Sequence, residues 1–444
     1  MANSYLNRTQ GSATNQKKGT FSFWIKRSKL GSNQRIVTNY NDSNNLGYLR
    51  FNSSDQLQHY ALSGGSAIGS IISTRKFRDT SAWYHIVMAI DTTEATAGDR
   101  IKFYVNGVQL SSFGTNTIPS QNADHPIFAS GTHYIGRHSS DADYFDGYIS
   151  HAAQVDGTAL APTVFGQTDS TSGIWNFKAP SATWGNNGYH LKFENAGALG
   201  TDSSGNTNTF TVNGNLKQSP DTPSNSYATW NFLSSPSNGN IGDVTGSNGN
   251  TTTSYLAQYR SYPATLGFKG GKWYWEVKRK TTSNDFHLGI CSENLTPANQ
   301  ATWVGSTPNG WIYAGDGGDL YNNNSNPGSS GYNTFGLNDI VGVAYDADNG
   351  KLYFSKNGTF QNSSNPVNGT NPAFSGLDTS LFYFPVITAG ANSETNFGNG
   401  FFGTTAVTSN SGAGEQDDAG EGKFQYDVPA GYYAVNTKNI NTYG

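Results

Sequence analysis

Short runs in which aromatic and β-branched residues alternate with polar ones recur along most of the chain, separated by turns rich in Gly, Asn and Ser. Between residues 18 and 110 these runs are FSFWIKR, RIVTNY, YLRF, WYHIVMAID and IKFYVNGVQL. Period-two alternation commits one face of each run to a core, and the close spacing of the turns predicts an antiparallel sandwich. Inside the last run, Asn106-Gly107 supplies two residues that accept positive φ, which predicts a two-residue hairpin. Residues 133 to 166 read as two more strands closed by a Pro-containing turn or short helix, so a first module ends near Gln167.

The rhythm returns from Tyr255 in GKWYWEVKRK, FHLGICSE, GWIYAG, DIVGVAYDADNGKLYFSKNGTF and FYFPVITAG, which predicts a second sandwich ending near Phe402. Asn349-Gly350 and Asn357-Gly358 mark turns between its strands. Alternation sends Trp273 and Trp275 inward and Tyr274 to the opposite face. Between the modules, Trp175, Trp184, Tyr189, Phe193, Phe210 and Trp230 are scattered among Asn, Gly, Ser and Pro, a pattern that reads as a bridge with few regular strands. Helix-period patterns are absent. The expected fold class is all-β, with two antiparallel β-sandwich (jelly-roll-like) domains, 1–167 and 253–403, joined by a loop-rich connector, 168–252. The aromatics of the C-terminal tail, 404–444, point to docking.

Composition narrows the picture. A chain of 444 residues needs more than one core, and an aromatic content of 13%, equal to its charged content, supplies the burial that a disordered Gly/Asn/Ser-rich chain would lack. The net charge is −4 and no cluster of Lys and Arg is positioned to neutralise a run of phosphates, so nucleic acid is not an expected partner. No apolar stretch is long enough to span a bilayer and the N-terminus has no apolar leader, so membrane insertion is not expected and the product starts in the cytosol. The lone Cys291 excludes an intrachain disulfide and a Cys-based metal cluster.

The runs YLNRT, FSFWIKR, WYHIVMAID, FYVNG and YFDGYISHAAQVDGTALAPTVFG resemble the laminin-G-like, concanavalin-A-like module of marine tailed-bacteriophage structural proteins. GIWNFKAPSATWGNNGYHLKFENAGALG and SPDTPSNSYATWN look like the connector that accompanies it in tail-associated proteins. GKWYWEV, LGICSEN, GWIYAGDGG and DIVGVAYDADNGKLYFSKNG resemble a SPRY domain, a sandwich usually employed in protein recognition. The resemblance implies a virion protein of the tail fibre or appendage type, made in the host cytoplasm, in contact with other virion proteins and homo-oligomeric, with a trimer favoured. It also implies a host-surface glycan or protein as the target. The first module begins within a few residues of Met1, where a fibre usually carries an anchoring stalk; this favours the alternative of a capsid or tail decoration protein.

Candidate chemistry is sparse. Glycan cleavage needs two carboxylates across the scissile bond. The only local cluster, Glu415, Asp417, Asp418 and Glu421, lacks flanking apolar alternation and reads as a solvated loop. The other glutamates, Glu276 among them, are isolated in sequence. No His-Glu-x-x-His or Gly-x-Ser-x-Gly pattern occurs, and His133, His138 and His151 read as strand or loop residues. No catalytic residue is assigned, no cofactor is required, and the expected protein is not an enzyme; a glycan depolymerase is the alternative. Asp141, Asp143 and Asp146, with Asp156 nearby, surround the last strands of the first module, where laminin-G-like relatives often carry calcium; ordinary turn chemistry explains the same residues. In the second module Trp303, Trp311, Tyr313, Asp316, Asp319 and Tyr321 combine ring faces with polar groups suited to stacking on sugar or anchoring a protein. Packing of Trp311 and Tyr313 into their own core is the competing reading.

Overall fold

The computed structural model describes residues 3–234, 244–255, 260–282, 286–326, 331–388, 390–408 and 415–444. Among the described residues strands make up 43% and helix 6%, and the strand pairs are antiparallel with one exception, so the fold is all-β. Contacts divide the chain into two compact units, Met1–Gln218 with Thr222–Ser224, and Ser219–Asp221 with Asn225–Gly444.

The first unit is a sandwich of two sheets. One has eight strands in the order Phe113–Thr117, Ser66–Lys76, Gln56–Ser63, Asn45–Phe51, Gln34–Asp42, Gly131–Ile135, Tyr5–Gln10 and Thr211–Asn213. The other has six, in the order Tyr189–Leu191, Gly147–Asp156, Lys18–Arg27, Trp83–Asp91, Ile101–Val105 and Val108–Gln109. Phe21, Phe23, Ile25, Ile86, Met88 and Ile90 from the second sheet meet Val37, Leu49, Phe51 and Ile135 from the first in one core. The predicted hairpin closes at Asn106 and Gly107, with φ of 49° and 79°.

The segment read as a connector is divided between the two cores. Tyr189–Leu191 and Thr211–Asn213 extend the two sheets of the first unit, and Tyr189 and Phe210 are buried there. Tyr227, Ala228 and Trp230 are buried in the second unit. Of the scattered aromatics of this stretch, Tyr189, Phe210 and Trp230 are core residues and Trp175, Trp184 and Phe193 are half-buried; only Trp175 and Tyr189 lie on strands, each of three residues and too short to show alternation.

Five imidazoles are buried in the first unit, His59, His85, His125 and His133 completely and His190 nearly so, and hydrogen bonding fixes several tautomers. The Ile127 amide donates to His125 Nδ1 at 3.3 Å, and His59 Nδ1 lies 2.8 Å from the Tyr48 carbonyl, to which it must donate. His125 Nε2–H therefore donates to His59 Nε2 across 3.2 Å, which leaves both rings neutral. Trp175 Nε1 donates to His85 Nδ1 at 2.9 Å, so His85 Nε2–H faces Ser22 Oγ at 2.8 Å. His133 meets the Tyr189 hydroxyl at 3.1 Å. Burial pushes His59 down to about 4, His85 and His133 down to about 3, and His125 well below its ordinary value.

The second unit pairs Val244–Ser247, Thr252–Tyr255, Ser393–Asn396, Lys272–Arg279, Ile340–Asp346, Lys351–Lys356 and Thr359–Phe360 in one sheet. Ser261–Pro263, Tyr383–Thr388, His287–Ser292, Gly310–Ala314 and Asp319–Tyr321 form the other. Trp273, Trp275 and Val277 point into the core between them, while Tyr274 packs on the opposite face with Tyr353, Phe424 and Tyr432. Asn357-Gly358 is a two-residue turn with φ of 49° and 84°. Asn349-Gly350 differs: Ala347 to Gly350 form a four-residue turn in which the Asn349 amide bonds Asp346 Oδ1 at 3.1 Å and only Gly350 has positive φ.

The tail is part of this unit. Tyr433–Ala434 pairs in parallel with Trp273 and Tyr274, and a helix absent from the sequence pattern, Thr437–Tyr443, follows under an Asn436 cap. The acidic stretch expected to be solvated contains a buried anchor. Asp417 Oδ1 accepts from the amides of Glu421 and Gly422 at 2.8 and 2.9 Å, and Oδ2 from the Ala434 amide and the Asn439 side chain at 2.8 Å each. A second buried carboxylate, Glu276, accepts from the Gln425 and Tyr426 amides at 2.9 Å each. Its desolvation outweighs these bonds and raises its pKa to about 7.

Candidate functional site

The six residues expected to line a site in the second unit separate onto different surfaces. Tyr313 is fully buried among Tyr332, Phe335 and Phe354, and its hydroxyl bonds the Asn333 carbonyl. Two positions earlier on the same strand, Trp311 leans into the same core with its ring edge-on to Tyr383 at 5.6 Å. Alternation delivers both to the inward face, so neither is a ligand platform. Asp316 is exposed but paired with Arg279 at 3.3 Å. Trp303, Tyr321 and Asp319 do come together, on the other face of that sheet. The Trp303 and Tyr321 rings meet edge-to-face at 5.0 Å, and the Tyr321 hydroxyl lies 3.5 Å from Asp319 Oδ2. All three are half-buried, around an apolar patch of Cys291, Val304, Ile312 and Val386.

Two of the three candidate calcium carboxylates, Asp141 and Asp143, are paired with arginines. Asp141 is exposed and pairs with Arg137 at 2.5 Å; Asp143 accepts from Arg35 and Arg50. Asp146 is half-buried and its pKa is raised by that burial. Asp156 is a structural acceptor for the Thr14 and Asn187 amides. Among the described residues no group of three or more His, Cys, Asp or Glu side chains is placed to hold a metal ion. Asp141 and Asp143 thus sit in arginine pairs, and Asp146 does not join them.

These pairs belong to a surface that sequence reasoning missed. Register alignment across the eight-stranded sheet sets Asn7 opposite Tyr134, Tyr134 opposite Thr38, Thr38 opposite Tyr48, and Tyr48 opposite Tyr60. Directly opposed residues share a face, and the next row inward, Leu6, Ile135, Val37, Leu49 and His59, is buried, so the tyrosine row lies on the outer face. Arginines cover these rings. The Arg35 guanidinium carbon sits 3.4 Å from the centroid of Tyr48, with Arg50 at 5.2 Å from the same ring, and Tyr60 stacks beside Tyr48 at 5.5 Å. At the other end Arg137 lies over Tyr5 at 4.1 Å and Tyr134 at 4.9 Å. The segment after strand Gly131–Ile135 is laid against this face: the Arg35 amide donates to the Asp143 carbonyl, and Thr38 Oγ1 donates to the Arg137 carbonyl. Tyr48 and Tyr134 fall in runs read as strands from the sequence, but Tyr60, on strand Gln56–Ser63, falls in none of them. Their alignment, which depends on five strands, was not visible in sequence.

Comparison with known proteins agrees with this architecture. Residues 1–165 match the family model described as the concanavalin A-like lectin/glucanases superfamily, and residues 272–400 match the SPRY domain model. The chain carries a concanavalin A-like domain and a SPRY domain. Among solved structures, the SPRY domain of human HERC1 aligns at 18% identity, covering 33% of this chain and 87% of that one with a TM-score of 0.27. The TRIM65 PSpry domain aligns at 16%, covering 38% and 87%, TM-score 0.28. A human SPRY domain aligns at 18%, covering 34% and 94%, TM-score 0.26. No curated protein matches the chain. Trp303, Tyr321 and Asp319 lie on the SPRY domain; the tyrosine row with Arg35, Arg50 and Arg137 lies on the concanavalin A-like domain.

Proposed function

We propose that this chain is a non-enzymatic adhesin of a tailed-bacteriophage virion, a tail fibre or appendage protein that recognises a bacterial surface glycan. The observation that carries the binding role is the outer sheet face of the concanavalin A-like domain. There Tyr60 and Tyr134 remain half-exposed on a rigid sheet, next to arginines whose planar donors suit oxygen-rich ligands. Half-exposed tyrosines present an apolar ring and a polar tip at low entropic cost, as a saccharide-binding surface requires. The virion role rests on the resemblance of the first module and its following segment to phage structural proteins. Homotrimeric display would convert weak individual sites into stable attachment. The buried carboxylates contribute to structure: Glu276 and Asp417 spend their acceptor capacity on the tail's own amides.

Incubation of labelled full-length protein with a panel of bacterial cells, measuring both bound protein and released sugar, tests this reading. Strain-selective binding without sugar release is expected. Sugar release would establish a depolymerase instead. Absence of binding by oligomeric, folded protein would favour a decoration protein with contacts inside the virion.

A further inference from the structure

We infer that the outer face of the eight-stranded sheet binds an acidic saccharide, its carboxylate or sulfate seated at Arg50 beside Arg35 and its ring on Tyr60. The inference rests on the glycan-binding role proposed above and narrows it to an anionic class.

The argument begins with charge. Arg35 Nε and Arg50 Nη1 donate to the same oxygen, Asp143 Oδ2, at 3.1 and 3.4 Å. The Arg35 side chain is 5% exposed and that of Arg50 17%. Two guanidiniums largely withdrawn from water thus share one carboxylate, and Arg35 Nη1 is buried without a hydrogen-bond partner. Uncompensated buried charge is unfavourable, and an orphaned charged donor more so. The neighbouring groups do not restore the balance. Asp141 is engaged by Arg137, and His138 turns its Nδ1 toward the Ser140 amide at 3.0 Å, so a neutral His138 ring directs N–H rather than a lone pair from Nε2. Burial, and then Arg35, hold the His138 pKa below its ordinary value, consistent with a local positive field. An anion entering beside Asp143 would supply the missing acceptor.

The surroundings specify more than charge. Arg50 Nε is held by Gln58 Oε1 at 2.8 Å, which fixes the plane of the guanidinium. Tyr60, on the next strand, continues the face beyond Tyr48, whose ring is covered by Arg35. A flat aromatic next to an oriented guanidinium suits a pyranose ring bearing an acidic substituent; a free inorganic anion would use only the arginine.

The test is titration calorimetry of the full chain with oligosaccharides of alginate, polyglucuronate and sulfated fucan, with dextran oligosaccharides as the neutral comparison and sodium sulfate as the simple anion. At least one acidic series should bind at least tenfold more tightly than dextran, and its affinity should fall as salt is raised. Arg50→Gln should weaken it tenfold or more, and Tyr60→Ala should do so by a similar factor with an unchanged melting temperature. Sulfate binding as tight as that of the acidic sugars, or insensitivity to Tyr60→Ala, would overturn the saccharide assignment. Equal binding of dextran, or insensitivity to Arg50→Gln, would overturn the anionic assignment and leave the adhesin reading standing. No binding of any saccharide by protein that binds cells would overturn the inference and leave the adhesin with a different receptor; failure to bind cells as well would remove the adhesin reading itself.

Discussion

Lowering the pH from 7.5 to 5 will destabilise the first unit by roughly 8 kcal/mol or more, enough to unfold it near room temperature. The cause is the set of buried neutral imidazoles, His59, His85, His125 and His133, all held well below the ordinary histidine value of 6.5. The folded pKa lies below the unfolded one, so the unfolded chain takes up protons first as the pH falls through 6.5. The stabilisation is complete above that value and is lost progressively toward pH 4. His59, lowered to about 4, and His85 and His133, lowered to about 3, each contribute about 2 kcal/mol at pH 5, and His125 adds to them. His190 and His151, which burial lowers to about 4, add to this loss, while Asp146, raised by burial, acts in the opposite direction but is a single group. In the second unit Glu276 also has the opposite sign. Its folded value of about 7 exceeds the ordinary 4.5, so its contribution is greatest below 4.5 and is lost as pH rises through 7. Calorimetry should therefore show one transition falling steeply between pH 7.5 and 5 while the other does not follow it. Two transitions that shift in parallel would contradict the neutral assignment of the histidines.

Asp417→Ala will lower the stability of the second unit by about 3–5 kcal/mol, a fall in melting temperature of roughly 10 °C. Asp417 is buried and accepts four hydrogen bonds that tie together the acidic loop, the edge of strand Tyr433–Ala434 and the C-terminal helix. Alanine leaves four donors without an acceptor. Asn would keep one oxygen but turn an NH2 toward either the Glu421 and Gly422 amides or the Ala434 amide and Asn439, so Asp417→Asn should recover only part of the loss. A melting temperature unchanged in Asp417→Ala would show that the tail contributes little to the fold. The same variant identifies which calorimetric transition belongs to the second unit.

These two expectations also mark where the sequence was readable. Alternation was enough to orient Trp273, Tyr274 and Trp275, because each face of a strand within a sandwich meets a distinct environment. Asn106-Gly107 and Asn357-Gly358 were readable because a two-residue turn needs positive φ at both positions. Asn349-Gly350 has the same letters, but Asp346 captures the Asn349 amide and the turn opens to four residues. Asp417 looked like part of a solvated acidic run because its partners, Ala434 and Asn439, lie 17 and 22 positions later. Arg35, Arg50 and Asp143 converge from two strands and a distant loop, so no local spacing announced them. Asp141, Asp143 and Asp146 were candidates as hard oxygen donors; Arg35 and Arg50, which pair with Asp143, lie 108 and 93 positions away and no local spacing shows them, whereas Arg137 stands only four positions before Asp141.

The most direct test of the binding role is cell attachment by a Tyr60→Ala/Tyr134→Ala double variant, compared with intact protein at matched oligomeric state and melting temperature. The expected result is loss of strain-selective attachment with folding preserved, because both rings are half-exposed and lie outside the buried core. Attachment equal to that of the intact protein would contradict a binding site on this sheet face.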